Sequence, residues 1–448
     1  MDKEVVVKIE SISNLGAGIA HYDGKVVFVE GTCPEDVVLV RIVKDNKKFS
    51  IGEVVEIQTP SSYRTETTCP LQKVCGSCQF QYIDYDYQLK IKQDIVQDCL
   101  RWQSLKDIPV LPVVSSPKIW EYRHKIQMPV SETKNSKRIV AGYFKKKSHE
   151  IVNIKYCPIQ PAICDEIIEF VRKNAKDYNV SGYYEPKHIG DIRHILMRVS
   201  ALNSDILLTL VINSSKVSEN IKQFAQKIYD KFDVIKGVCV NLNDKKTNLI
   251  LSEKTFSLIG DDYIIERLCG VEFKVKTNTF FQVNPYTAEN IFNYVKDYIK
   301  ENFDAPVILD AYAGIATIGI IMSDVAKKVV SVEENKQSIE TAREVLKDND
   351  IQNVEVYCDD TSNYLSQISE KMFDITILDP PRKGCSQVSL DKTLEVTKSR
   401  IIYISCNPQT LARDLDYLKS KGARVCSVQP FDMFCHSNHV ESVAIIEL

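Results

Sequence analysis

At 448 residues, with 44% apolar and 26% charged side chains, the chain has the balance of a globular protein and is long enough for roughly two to four domains. No apolar run of about eighteen residues occurs, which excludes a helical membrane span, and the charged start Met1-Asp2-Lys3-Glu4 is unlike a secretory leader, so a cytoplasmic location is expected. A net charge of −3 excludes a uniformly basic binder and leaves local clusters to hold any polyanion: Lys44 with Lys47 and Lys48, Arg123-His124-Lys125, Lys145-Lys146-Lys147 and Arg382-Lys383.

In chain order, β-branched runs at 5–7, 25–29, 37–43 and 51–57 are separated by Gly, Pro, Asp and Asn. Their density suggests a small OB-like barrel over 1–59, closed off by Thr59-Pro60-Ser61-Ser62. Cys69-x5-Cys75-x2-Cys78 follows, with Cys157 much later. Thiolates so spaced suit zinc or an iron–sulfur cluster, and spacing alone does not separate the two. The lone cysteines 33, 99, 164, 239, 269, 358 and 426 read as packing residues. A helix is expected from about 82 to 102, with Leu89, Ile95, Val96, Cys99 and Leu100 at helical spacing. The rest of a central segment, 60–268, mixes strands with helices, among them a strand at 206–211 and a helix at 218–232, as in an α+β domain.

From 269 to 448 strands at 306–309, 328–332, 354–357, 375–378, 401–404 and 440–446 alternate with amphipathic helices. This is the pattern of an α/β, Rossmann-like domain, in which ligands sit at the carboxyl ends of the strands. The first strand runs into Asp310-Ala311-Tyr312-Ala313-Gly314-Ile315-Ala316-Thr317-Ile318-Gly319, a small-residue turn that admits a ligand close to the backbone. The second ends in Glu333, an acid suited to the two hydroxyls of a ribose. Asp359-Asp360 after the third suits an adenine amino group. A nicotinamide cofactor competes with S-adenosylmethionine here, but the turn lacks G-x-G-x-x-G; glycines serving packing alone are the plainer alternative.

The fourth strand exits into Asp379-Pro380-Pro381-Arg382-Lys383-Gly384, the prolines stiffening the chain that holds Asp379. The fifth ends in Ser405-Cys406-Asn407-Pro408. Asn407 and Pro408 suit the cap and first turn of a helix at 409–419, so Cys406 faces a helix N-terminus that favours a thiolate nucleophile. Glu441 stands in the β-branched last strand, where a carboxylate serves as a general base or as half of a structural ion pair. Phe280-Phe281-Gln282-Val283-Asn284-Pro285 repeats the cap-and-proline device; the two rings either stack on a base or fill core, and Gln282 has donor and acceptor groups for a ligand.

Taken together, D-P-P-R-x-G, S-C-N-P, H-V-E and F-F-Q-V-N-P, with the cysteine cluster, resemble the RNA 5-methyluridine methyltransferase family over essentially the whole chain, most closely the branch acting on 23S rRNA. The resemblance implies Cys406 as nucleophile and Glu441 as proton acceptor. It implies cofactor contacts from Gln282, Tyr312, Glu333 and Asp379, and a [4Fe–4S] cluster on Cys69, Cys75, Cys78 and Cys157. It further implies a TRAM domain at the amino terminus, S-adenosylmethionine as methyl donor and an RNA substrate. Segment 82–113 is expected to pack with the catalytic domain, and a monomer is the default. Ala316 departs from the second glycine of many relatives. A tRNA substrate and a non-catalytic RNA-binding factor are the alternatives weighed against 23S rRNA methylation.

Overall fold

The computed structural model describes residues 3–133 and 136–448, so Met1 and Asp2 of the charged start lie outside it. Two compact units divide the chain: the first holds residues up to Ser116, Pro381–Gly384 and Ile404–Ile445; the second holds Pro117–Pro380, Cys385–Tyr403 and Ile446–Leu448. Among the described residues no helix is long and apolar enough to cross a membrane.

In the first unit, β1 (Lys3–Lys8), β2 (Ser11–Ile12), β3 (Gly18–Tyr22), β4 (Lys25–Val29), β5 (Val37–Asp45) and β6 (Phe49–Thr59) form one sheet in the order β1-β5-β6-β4-β3-β2. A hydrogen bond from Glu10 N–H to the Ile19 carbonyl (2.8 Å) brings the β1 end beside β3, curling the sheet. Alternate residues then share one apolar interior, including Val5, Val7, Ala20, Val27, Val29, Val38 and Val40. The buried Asp36 carboxylate accepts from the Cys33 and Ser61 amides and from Nε and one Nη of Arg64, tying the sheet to the segment after it.

Helix α1 (Tyr85–Trp102) begins three residues later than expected because Asp84 caps it, accepting from the Tyr87 amide. Its buried face is Gln88, Ile91, Lys92, Ile95, Val96, Cys99 and Leu100, while Leu89 is only half-buried.

The second unit opens with β7 (Lys125–Glu132), β8 (Ile139–Phe144), β9 (Ile151–Asn153), α2 (Ala162–Asn174), β10 (Ile192–Val199), β11 (Ile206–Ile212), α3 (Glu219–Lys231), β12 (Ile235–Leu242) and β13 (Thr255–Gly260). These strands make a seven-stranded sheet, β13-β12-β11-β10-β7-β8-β9, antiparallel except where α3 crosses between the parallel β11 and β12. A hairpin of β14 (Tyr263–Leu268) and β15 (Val271–Lys276) follows, and the boundary expected after 268 coincides with its two-residue turn, where Cys269 and Gly270 both have positive φ.

Beyond α4 (Pro285–Asn302) lie β16 (Val307–Ala311), α5 (Thr317–Met322), β17 (Lys328–Glu333), α6 (Lys336–Asp348), β18 (Val354–Cys358), α7 (Thr361–Ser366), β19 (Phe373–Leu378), α8 (Gln387–Val396) and β20 (Thr397–Ser405). The five strands are parallel, ordered β18-β17-β16-β19-β20. Their order reverses between β16 and β19, which is where ligands bind in such sheets.

The chain then completes the first unit with α9 (Pro408–Ser420), β21 (Arg424–Phe431) and β22 (Glu441–Glu447). Strand β21 was not expected. Helix α1 packs on α9, and single bridges join Val110 to Val428 and Val114 to Phe431. At the centre of this packing Lys92 and Asp432 form an ion pair with no side-chain exposure. Lys92 also donates to the Phe434 carbonyl (2.9 Å), and Asp432 accepts from the Tyr85 hydroxyl (2.8 Å), which in turn accepts from the Ser116 amide.

Removing one partner of a buried pair leaves an uncompensated charge. Lys92→Met is therefore expected to destabilise the protein by about 3–5 kcal/mol in chemical unfolding, and adding Asp432→Leu should restore most of it. A single variant as stable as wild type would show that the pair holds nothing together.

Candidate active site

In the second unit, Asp310 is the one acid of β16 and is fully buried. One carboxylate oxygen accepts from the Gly319 amide and the Ser331 hydroxyl, both 2.9 Å, and the other has no partner. Burial pushes this carboxyl up to about 7, against the pull of those hydrogen bonds. A Cβ on Gly319 would meet Ser331 Oγ at 2.2 Å, so this glycine serves close packing. Gly314 differs: its φ is +58° and a Cβ would meet nothing within 4 Å, leaving open space before the turn. One glycine thus fits the packing reading and the other the ligand reading. Ala316 caps α5 in the left-handed region, φ 56°, at zero exposure. An L-residue held in that region carries backbone strain of about 1–2 kcal/mol.

Glu333, half-buried at the end of β17, accepts from the Gly314 amide (3.0 Å) and the Asn335 amide (2.9 Å). The acid thereby locks the first turn to the second strand and keeps lone pairs for further donors. Tyr312 has φ 64° and its hydroxyl bonds Ser389 Oγ (2.8 Å); burial pushes the phenol upward. Asp379 is half-buried after β19, where burial and the nearby Asp310 push it up to about 7. Asp360, expected near an adenine, is exposed and caps α7 through the Asn363 amide, whereas Asp359 accepts from Gln367.

The segment before α4 is held from below. Arg198, fully buried, donates to the carbonyls of Thr279 and Phe281, and the Val283 carbonyl accepts from the His124 amide (2.7 Å). The aromatic pair divides: Phe281 is core against Phe273 (5.7 Å), and Phe280 is 59% exposed. Gln282 is half-buried, and its amide has no hydrogen-bond partner among the described residues. This unit therefore brings Gln282, Tyr312, Glu333 and Asp379 to its loops and strand ends. The Asp310–Ser331 and Tyr312–Ser389 contacts were missed from sequence, although an acid inside an apolar strand is a visible signal.

In the first unit, Cys406 is half-buried between β20 and α9. Asn407 caps α9 by accepting from the Gln409 amide and donates to the Arg382 carbonyl (3.0 Å); Arg413 donates to the Lys383 carbonyl (3.0 Å). The loop of exposed Arg382 and Lys383 is thus fastened beside the helix N-terminus that follows the thiol. Glu441, 6% exposed, begins β22.

The metal set fares differently. Cys69, Cys75 and Cys78 are buried in the first unit and Cys157 is buried in the second, none of them in a disulfide. Among the described residues no three or more His, Cys, Asp or Glu side chains are gathered to hold a metal ion, so the expected ligand set is not formed by the side chains as they stand.

A family model described as tRNA (Uracil-5-)-methyltransferase matches residues 84–447, and a TRAM domain model matches 3–55. An uncharacterized RNA methyltransferase of Bacillus cereus is 34% identical over 445 residues, covering 99% of this chain and 96% of that one. Another from Gloeobacter violaceus is 36% identical over the same shares. Among solved structures, Pyrococcus abyssi tRNA (uracil-54, C5)-methyltransferase in complex with S-adenosyl-L-homocysteine is 26% identical, with a TM-score of 0.77 over 99% of this chain and 100% of that one.

The Asp310 carboxyl gives a pH test. Its folded value, about 7, lies above the ordinary 3.8, so the folded state keeps a proton that the unfolded chain releases. Stability from this group is full below the ordinary value and is lost as pH rises toward 7. Asp310→Asn removes that loss, so the Tm of the variant minus that of wild type should grow between about pH 4 and 7. A pH-independent difference in thermal scans would mean Asp310 ionises normally.

Proposed function

The chain belongs to the tRNA (uracil-5-)-methyltransferase family, an S-adenosylmethionine-dependent RNA methyltransferase with a TRAM domain, and on that premise we propose that it methylates C5 of a uridine in 23S rRNA through a covalent Cys406 adduct. The observation that carries the reading is the thiol at the N-terminus of α9, with Asn407 as cap and the Arg382–Lys383 loop bonded to the same helix.

Uracil C5 is a weak nucleophile. The Cys406 thiolate adds at C6, and the electron pair displaced toward C5 makes that carbon enolate-like. S-adenosylmethionine would supply an electrophilic sulfonium methyl to C5, the methyl–sulfur bond breaking to leave the neutral thioether S-adenosylhomocysteine. Glu441 then accepts the C5 proton, and the electrons released re-form the C5–C6 double bond as the thiolate leaves. Covalent catalysis divides one hard step into easier ones, and the buried Glu441 is suited to hold a proton away from water. Gln282, Tyr312, Glu333 and Asp379 are proposed to hold the methyl donor: Glu333 at the ribose and Gln282 at its amino-acid end or at the base. The open space before Gly314 supports a donor there. The target base leaves its stack to meet the thiol, as in other base-modifying enzymes, and Phe280 has an exposed ring able to stack on RNA.

The likeness to a tRNA (uracil-54, C5)-methyltransferase over the whole chain favours a second reading, in which the uridine is in tRNA. A [4Fe–4S] cluster on Cys69, Cys75, Cys78 and Cys157 remains a proposal resting on the family resemblance and the four-thiol donor set alone, and no catalytic step uses it. Iron and acid-labile sulfide in anaerobically purified protein would support it; zinc or no metal would remove it.

Labelled S-adenosylmethionine with unmodified 23S rRNA and with tRNA, followed by nucleoside mapping, tests the substrate. Cys406→Ala should abolish 5-methyluridine formation, and Glu441→Gln should accumulate protein covalently attached to RNA, visible as a retarded band on denaturing gels. Normal turnover by Glu441→Gln without such a band would remove it as the base.

A further inference from the structure

A groove of about 1070 Å³ opens in the second unit between the β7–β8 hairpin and α2. Six cations and two carboxylates line it, in a chain whose net charge is −3. Lys137 pairs with Glu132 (2.7 Å), and Arg172 and Lys173 share Glu169 (3.1 and 3.3 Å). Arg138, Lys155 and Lys176 have no carboxylate partner among the described residues. The wall is built as well as charged. The Arg172 side chain is only 8% exposed, donates to the carbonyls of Ala141 and Ile154, and keeps a buried Nε without a partner. Among the described residues no aromatic side chain lines the groove.

We propose that this groove holds the sugar–phosphate backbone of a helical stretch of the substrate RNA without reading sequence. Excess positive charge in a concave site attracts a polyanion. Single-stranded RNA is ordinarily held by stacking its bases on aromatic rings, and paired RNA through its backbone and shape. A lining with cations and no rings matches the second kind. The inference rests on the RNA-methyltransferase reading and adds a contact surface to it.

The test is the triple variant Arg138→Gln, Lys155→Gln, Lys176→Gln, with affinity measured against salt for a stem-loop RNA and for a short oligouridine. For the stem-loop, the slope of log affinity against log salt should fall by about two to three, with binding weaker on the order of a hundredfold at physiological salt. Oligouridine binding should be unchanged, and methylation of the stem-loop should show a raised KM with kcat retained. Arginine at positions 155 and 176 should restore the slope. An unchanged stem-loop slope would overturn the proposal, as would equal losses for both RNAs, or a loss only of binding to an acidic peptide. Affinity is read without the methyl donor, so wild-type protein that methylates neither RNA would count against the proposed substrate and leave this comparison standing.

Discussion

Five strands run the same way in the second unit, and that one constraint decides where chemistry can be placed. In a parallel sheet every carboxyl end lies along one edge, so each turn that follows, at Tyr312, Glu333, Asp359 and Asp379, opens toward the same side. The turns need no long reach to cooperate. Glu333 at one strand end accepts from Gly314 beyond another, and Tyr312 bonds Ser389 on α8, the helix after the neighbouring strand β19. At Glu333 the donors are backbone amides, which cost no side-chain entropy to align.

The buried polar groups follow a consistent division. Arg198 spends its donors on the carbonyls beneath Phe280 and Gln282, and Asp310 spends its acceptor on the turn amide and Ser331. In the first unit Lys92 and Asp432 fix the chain leading to Glu441. None of these is expected to touch a substrate. Each holds backbone that carries a side chain with a proposed role, and a buried charge with defined partners holds geometry more tightly than apolar packing would.

Much of this was legible in the residues because the signals were local. Asn284-Pro285 and Asn407-Pro408 announced α4 and α9, and both helices begin where those residues place them. The six strand candidates after residue 300 all exist. What escaped depended on partners far along the chain. Strand β21 carries Pro430 and mixed polar residues, so its pattern is weak until its neighbour is known. Lys92 reads as a surface lysine, yet it stands four residues from Gln88 and three from Ile95, on the face that is buried. Phe280 and Phe281 could not be assigned by type; adjacent residues in an extended segment point opposite ways, so one became core and one stayed exposed. Four cysteines in a suggestive spacing announce donors, but spacing does not say which metal, and the gathering of side chains is a property of the fold.

The broken path of the first unit has a consequence for how the molecule is made. Its early part ends at Ser116 and its remaining strands and helix arrive only after residue 403. Lys92 meets Asp432 across 340 positions. On the ribosome the second unit's central sheet can form while the first still lacks its last strands, and α1 must wait with an apolar face and a lysine prepared for a partner not yet synthesised. Chaperone dependence and sensitivity to truncation should therefore concentrate at the carboxyl terminus, in residues that a domain map drawn along the sequence would assign elsewhere.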